Sequence, residues 1–369
     1  MPATKPYFSP ADIAFISSRF KDILAGKSWL SMGKYGEQFE KEYAAFIGTK
    51  FAVACNSGTS ALELAYMALG LKGKEVIMPS NTFAATAYAA QRAGAKIVFA
   101  DCGDDMCLDA DDVAKRITPK TAAVVHVHIG GLVSPSILKI RKLCRAKGIF
   151  LIEDAAQAHG AALGGIKAGA FGDAGAFSFF STKVMTTGEG GMVTVNSAKL
   201  VEAMKSMREF GKQKQDVYIN YHTMLGYNWR MPEVASLMGL RQLKALPAFI
   251  KGREKIAKRY TKLLSGRTDI DIIQPSAPGA SNFFKYIIVL KKHDRLAVHH
   301  ALLKEGVFPS GYVYEFPLHK QPVFKEYNGL KLPKTEYYSA RHMCLPIFYG
   351  MTLDEADFVV KALTKVLSS

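Results

Sequence analysis

The N-terminal two-thirds of the chain alternates between short apolar runs and longer segments in which apolar residues recur at helical spacing. The apolar runs include FAVAC at 51–55, EVIMP at 75–79, KIVFAD at 96–101 and IFLIED at 149–154. Between the first two lies GTSALELAYMALGL, whose apolar positions repeat with the period of a helix. Continuous apolar strands that alternate with helices predict a mostly parallel sheet covered by helices on both faces. In such α/β architectures, ligands bind at the carboxyl ends of the strands.

The pattern changes toward the C-terminus. Long helical segments follow residue 228, and then come a strand-like run at 282–291 and a closing helical segment at 353–367. We predict a ligand-binding large domain at 1–245, which includes the N-terminal segment, and a smaller α+β domain at 246–369. The length of 369 residues also suits about two domains.

Composition narrows the class of protein. The net charge of +16 favours anionic ligands, but the basic residues are spread along the chain, so nucleic-acid binding is not expected. No apolar run is long enough to cross a membrane, and the first residues lack the apolar core of a signal peptide. Five cysteines without metal-ligand spacing indicate reduced thiols in a cytoplasmic protein. The pair His126 and His128 has no evident third ligand, so no metal is predicted.

Three features carry candidate chemistry. Lys183 follows an apolar strand and precedes a Thr/Gly-rich stretch, Asp154 ends the run IFLIED, and residues 56–59 join a strand to a helix. A buried carboxylate needs a cationic partner, and the start of a helix favours phosphate. Each feature has an ordinary alternative: a solvated lysine, a structural ion pair, and a local helix cap.

Several motifs together resemble those of one family, the DegT/DnrJ/EryC1/StrS sugar aminotransferases, which depend on pyridoxal 5'-phosphate and have the aspartate-aminotransferase fold (fold type I). The matching stretches are NSGTSALELA at 56–65, EDAAQAHGA at 153–161, FGDAGAFSF at 171–179, STKVMTTGEGGMV at 181–193 and GYNWRM at 226–231. The matches are dense from about residue 27 to residue 240 and become sparse beyond it.

The resemblance implies a role for each matched residue. Lys183 would form a Schiff base with the cofactor and transfer protons, and Asp154 would pair with the pyridine nitrogen. The other residues implied to bind the cofactor are Gly58, Thr59, Phe83, Gln157, Ser178 and Asn228. Asn228 would act from the neighbouring subunit, which implies a homodimer. For Phe83, a place in the core of a helix is the alternative.

The resemblance also implies the substrates. L-glutamate would donate the amino group, and a keto-sugar nucleotide would accept it, giving an amino sugar for surface polysaccharide, such as lipopolysaccharide, or for secondary metabolites. Weaker matches suggest substrate contacts at Trp29, Arg230, Tyr314 and His319. Arg230 is equally compatible with an ion pair at the surface or at an interface.

Two other functions remain open at this stage. A sugar dehydratase or deoxygenase of the same superfamily would carry histidine in place of Lys183, so the lysine favours amino transfer. A non-catalytic regulatory protein on the same scaffold is supported only by the basic charge. Phe180 departs from the family pattern, in which histidine is common; we expect it to change the surroundings of Lys183 and leave the lysine's role intact.

Overall fold

The computed structural model describes residue 2, residues 5–213 and residues 220–368. Its α-helices are α1 (Pro10–Asp22), α2 (Lys34–Ile47), α3 (Gly58–Ala68), α4 (Ala84–Arg92), α5 (Ala110–Arg116), α6 (Ser136–Lys147), α7 (Ala198–Arg208), α8 (Glu233–Leu264), α9 (Arg295–Lys304), α10 (Pro333–Arg341) and α11 (Leu353–Ser368). Its strands are β1 (Phe51–Cys55), β2 (Glu75–Pro79), β3 (Lys96–Ala100), β4 (Thr121–Val127), β5 (Phe150–Asp154), β6 (Ala162–Leu163), β7 (Ile166–Lys167), β8 (Ala174–Ser178), β9 (Gly191–Val195), β10 (Ile270–Ile272), β11 (Tyr286–Leu290) and β12 (His342–Leu345).

The main sheet has seven strands in the order β1-β9-β8-β5-β4-β2-β3. Strand β9 pairs antiparallel with both β1 and β8, and the remaining neighbours pair in parallel. Six strands therefore point the same way, and their carboxyl ends meet at one edge. The predicted α/β fold with a mainly parallel sheet is confirmed.

Both faces of this sheet are buried, as the continuous apolar strands predict. Val124 and Leu151 belong to the core that also contains residues of α2, α6 and α8. Their neighbours Val125 and Ile152 face the opposite core, which contains residues of α3 and α4. Side chains alternate between the faces of a strand, so a run that is apolar at every position requires cover on both sides.

A smaller antiparallel sheet, β10-β11-β12, packs with α9, α11 and the second half of α8. Helix α8 is continuous for 32 residues. Leu246 and Phe249 contribute to the core of the large sheet, whereas Ile256 and Tyr260 contribute to that of the small one. The predicted boundary at residue 246 thus falls inside a helix shared by both cores, and the division into two domains stays a prediction. In the described part of the chain, no helix combines the length and hydropathy that a membrane span requires.

Candidate active site

The carboxyl edge of the main sheet brings together residues that are far apart in sequence. Asn56 follows β1, Asp154 ends β5, and Ser178 ends β8. Gly58, in the first turn of α3, lies against Ser178: a Cβ atom on Gly58 would be 2.6 Å from the Ser178 Cβ. Only glycine allows the start of α3 to approach β8 this closely, so the predicted residues Gly58 and Ser178 do share one site.

The start of α3 is suited to bind an anion. Ser57 caps the helix by accepting a hydrogen bond from the Ser60 N–H at 3.1 Å, and the Ser60 hydroxyl accepts one from the Ser57 N–H at 3.1 Å. The first N–H groups of a helix lack partners within the helix and carry the positive end of its dipole. Gly58 and Thr59 lie in this first turn, and their contact with a phosphate stays a prediction.

Asp154 is a buried carboxylate with a defined orientation. It is 7% exposed, and its Oδ2 accepts a hydrogen bond from the Thr86 hydroxyl at 2.7 Å. Its Oδ1 accepts one from the Ala156 N–H at 3.2 Å. Thr86 in turn lies 2.8 Å, between hydroxyl oxygens, from Thr82. Asp154 is predicted from the sequence, whereas both threonines, which stand in the stretch NTFAATA, are not.

Lys183 follows the turn after β8, and its N–H donates to the Phe180 carbonyl at 2.9 Å. Its Nζ lies 5.0 Å from the centroid of the Phe284 ring. Burial lowers the pKa of Lys183 from 10.5 to about 8; Asp154 opposes this shift, and Lys285 adds to it. A larger share of this amine is therefore neutral near pH 7 than for an exposed lysine, as an amine nucleophile requires.

Gln157 links two elements on the other side of the site. Its Oε1 accepts from the Gly130 N–H at 2.8 Å, and its Nε2 donates to the Tyr314 hydroxyl at 3.0 Å. Burial raises the pKa of Tyr314, which keeps its hydroxyl protonated. The Phe83 ring lies 5.9 Å from that of Tyr314 and is 60% exposed. Phe83 is therefore not part of a helix core, and its ring is available to a ligand.

His159 is a third residue whose role is not predicted from the sequence, although it stands in the motif EDAAQAHGA. Its Nδ1 lies 2.8 Å from the Tyr43 hydroxyl and its Nε2 2.9 Å from the Ser178 carbonyl oxygen. Burial lowers its pKa to about 3. The neutral ring therefore donates from Nε2 to Ser178, which fixes the end of the strand that leads to Lys183.

Three of the predicted residues lie at the surface of the single chain. Asn228 is exposed, and its carbonyl is 3.5 Å from the Asn56 Nδ2. The Arg230 guanidinium lies 5.2 Å from the Phe210 ring centroid. Trp29 is 78% exposed. Their roles toward cofactor and substrate stay predictions.

His319 is fully buried, and both of its ring nitrogens are engaged. Nδ1 lies 2.7 Å from the Ser80 hydroxyl, and Nε2 lies 3.1 Å from a carboxylate oxygen of Glu336. These bonds support the turn after β2, which also carries Asn81, whose Oδ1 accepts from the Tyr314 N–H at 2.8 Å. This geometry favours an indirect role, and contact of His319 with a substrate stays a prediction.

This edge of the sheet is suited to a reaction between an amine and an anionic ligand. The model of the DegT/DnrJ/EryC1/StrS aminotransferase family matches residues 11–364, and the chain belongs to this family. The resemblance that the motifs indicate and the prediction of an aminotransferase are both confirmed.

Individual relatives agree with this family. The GDP-perosamine synthase of Vibrio cholerae is 34% identical over 335 residues, which is 89% of this chain and 89% of that protein. Helicobacter pylori PseC, an aminotransferase involved in the biosynthesis of pseudoaminic acid, has a TM-score of 0.92 at 27% identity, covering 100% of this chain and 99% of that one. NtdA from Bacillus subtilis with bound cofactor PMP has a TM-score of 0.89 at 26% identity, covering 100% and 86%.

Proposed function

We propose that this protein is a pyridoxal-phosphate-dependent aminotransferase that moves an amino group from L-glutamate to a keto-sugar nucleotide. The observation that carries the proposal is the convergence of Lys183, Asp154 and the start of α3 at one edge of the sheet. The relative from Vibrio cholerae is named for a GDP-linked amino sugar. The product is accordingly an amino sugar, for surface polysaccharide or secondary metabolism.

The residues of the site fit this cofactor. The carboxylate of Asp154 has acceptor capacity left for a ring N–H, because Thr86 and Ala156 occupy only two of its four lone-pair positions. Gly58 gives a phosphate access to the first turn of α3, and Ser178 adds a hydroxyl. When bound, pyridoxal phosphate supplies an aldehyde and an electron-withdrawing ring.

The chain's own groups then have separate tasks. Lys183, with its lowered pKa, would supply the amine that holds the cofactor, and the same amine would take up and return a proton. Asp154 stabilises positive charge on the ring nitrogen. Gln157 would bind near the cofactor's ring hydroxyl through the second N–H of its amide, since Tyr314 takes the first and Gly130 holds the amide oxygen. Phe83 would lie against the face of the ring.

The proposal is tested by covalent trapping. Protein incubated with pyridoxal phosphate should turn yellow, and borohydride should fix the cofactor on Lys183, as peptide mass mapping would detect. Addition of L-glutamate should convert the bound cofactor and release 2-oxoglutarate, and a panel of keto-sugar nucleotides should complete the cycle. A colourless protein that takes up no cofactor would overturn the enzymatic proposal.

Lys285 offers a matched control for the trapping experiment. Its Nζ also lies 5.0 Å from the Phe284 ring, and burial lowers its pKa as well. Lys183→Ala should abolish covalent attachment, whereas Lys285→Met should retain it. If the cofactor is found on Lys285 in the wild-type protein, the assignment of Lys183 as the attachment site is wrong.

We further propose a homodimer in which Asn228 of the partner subunit contacts the cofactor phosphate. Large apolar side chains are exposed in the single chain around residues 24–30 and at 225, including Leu24, Trp29, Leu30 and Leu225. Exposed apolar groups of this size are typical of interfaces.

Mixed dimers test the shared site. Lys183→Ala and Asn228→Ala are each prepared alone, then unfolded, mixed and refolded together. If each site takes lysine from one subunit and asparagine from the other, half of the dimers are hybrids with one intact site, and about a quarter of wild-type activity returns. If Asn228 acts within its own subunit, mixing restores nothing.

A further inference from the structure

A chain of two buried hydroxyl groups leads to Asp154, the acid at the candidate cofactor site. Thr82 precedes α4 and is 2% exposed, and Thr86 lies in the first turn of α4 and is fully buried. The hydroxyl oxygens are 2.8 Å apart, and Thr86 Oγ1 is 2.7 Å from Asp154 Oδ2. Thr86 and Asp154 are 68 positions apart in sequence, so the contact depends on the tertiary fold.

The direction of these hydrogen bonds follows from the groups themselves. An ionised carboxylate only accepts, so the Thr86 hydroxyl donates its single proton to Asp154. Thr86 must then accept from Thr82. Hydrogen bonds in such a chain polarise and strengthen one another, and the low local dielectric adds to this effect.

The backbone around Thr86 is also fixed. Its carbonyl accepts from the buried Tyr66 hydroxyl at 3.3 Å, which ties α4 to α3, the helix that begins at the candidate phosphate site. The Asp154 carboxylate is thus held on one oxygen by Thr86 and on the other by the Ala156 N–H. Its plane is set before any ligand arrives.

We propose that Thr86, oriented by Thr82, is a positioning residue that fixes the Asp154 carboxylate for its hydrogen bond to the ring nitrogen of the cofactor. The inference rests on the proposed function. Its consequence is that cofactor affinity depends on a hydroxyl that touches neither cofactor nor substrate. Each oxygen of Asp154 keeps one lone pair for a ligand, because Thr86 occupies one position on Oδ2 and Ala156 one on Oδ1.

The test measures the affinity of the full-length protein, stripped of cofactor, for pyridoxamine phosphate, which binds without a covalent bond to Lys183. Thr86→Val removes the hydroxyl at similar size and should weaken binding between about tenfold and a hundredfold, the range for hydrogen bonds to charged groups. Thr86→Ser restores a hydroxyl and should recover most of the affinity. Thr82→Val should weaken binding in the same direction, but less.

Thr194 provides the matched control. It is fully buried, and its hydroxyl donates to the Gly169 carbonyl at 2.7 Å, on the side of the sheet away from Asp154. Thr194→Val should lower stability, as Thr86→Val does, but leave the affinity for pyridoxamine phosphate unchanged. Urea unfolding of each variant reports the stability separately.

A double-mutant cycle separates positioning from packing. In an Asp154→Ala background there is no carboxylate to orient, so Thr86→Val should change affinity by less than about twofold. An undiminished effect in that background, or wild-type affinity of Thr86→Val, would overturn the inference while leaving the proposed function intact. If Thr86→Val does not fold, Thr82→Val serves as the test instead. Wild-type affinity of Thr82→Val for pyridoxamine phosphate would overturn the inference. Failure of the wild-type protein to bind any form of the cofactor would overturn both.

Discussion

Two adjacent acids in the run IFLIED have opposite surroundings. Glu153 is fully buried, and its carboxylate accepts from the N–H groups of Gly169, Phe171 and Gly172 and pairs with His128 Nε2, at 2.7–2.9 Å. These four partners fill its four lone-pair positions. Asp154 has partners at only two of its positions.

The difference follows from strand geometry. Neighbouring side chains of β5 point to opposite faces of the sheet. Glu153 is directed to the side of the 169–172 turn, whose N–H groups it satisfies, and Asp154 to the side of α4. A saturated carboxylate holds structure, and an unsaturated one at a strand end can hold a ligand. The following predictions test this assignment.

The largest expected effect is on folding. Glu153→Ala leaves three backbone N–H groups and His128 without their acceptor in the interior, so we expect a loss of about 3–5 kcal/mol in the free energy of unfolding. Urea unfolding monitored by circular dichroism measures it. Asp154→Ala should change the free energy of unfolding by about 1 kcal/mol or less. Equal losses for both variants would contradict the division of roles.

The next largest effect is expected on activity, where Asp154 should matter more than Glu153. Asp154→Ala should lower the turnover number at least about a hundredfold, since loss of a preorganised charged group costs about 3 kcal/mol of transition-state stabilisation. The measurement is 2-oxoglutarate release from L-glutamate at saturating cofactor, with a keto-sugar nucleotide present to accept the amino group. Glu153→Gln, if it folds, should keep activity within about tenfold of wild type, because its side chain points to the face of the sheet opposite to that of Asp154. A Glu153 variant that folds but loses all turnover would show that both acids act in catalysis.

A smaller effect is expected on the pH dependence of cofactor capture, to which Asp154 and Lys285 contribute with opposite signs. The neutral amine of Lys183 captures the cofactor, so the capture rate should rise about tenfold per pH unit at low pH and level off above about pH 8. Asp154 favours the charged amine and Lys285 disfavours it. Asp154→Ala should therefore lower the pH of levelling off, and Lys285→Met should raise it. Stopped-flow absorbance measures these rates, and a shift of the same size in Thr194→Val would contradict the electrostatic cause.

Local patterns in the sequence predict the main sheet and part of the candidate site. The alternation of strands and helices predicts the parallel sheet, and the strand ends predict that Asp154 and residues 56–59 meet at one edge. Ser178 is implied only by the resemblance to the family. Thr86 and His159 escaped prediction because their partners, Asp154 and Tyr43, are far away in the chain and only the fold reveals them. Three of the four hydrogen bonds to Glu153 likewise come from the turn at 169–172. The spacing of apolar residues in the sequence does not predict the path of this turn.

The smallest expected effect concerns Phe180, where the family commonly has histidine. Its side chain is 42% exposed, and its backbone carbonyl, independent of the side chain, accepts from the Lys183 N–H at 2.9 Å. Phe180→His should therefore keep covalent cofactor attachment and change the free energy of unfolding by about 0.5 kcal/mol or less. It should change the KM for the sugar substrate more than the KM for glutamate, as steady-state kinetics would measure. Loss of attachment would mean that the site around Lys183, unlike that around Asp154, is held by an exposed side chain.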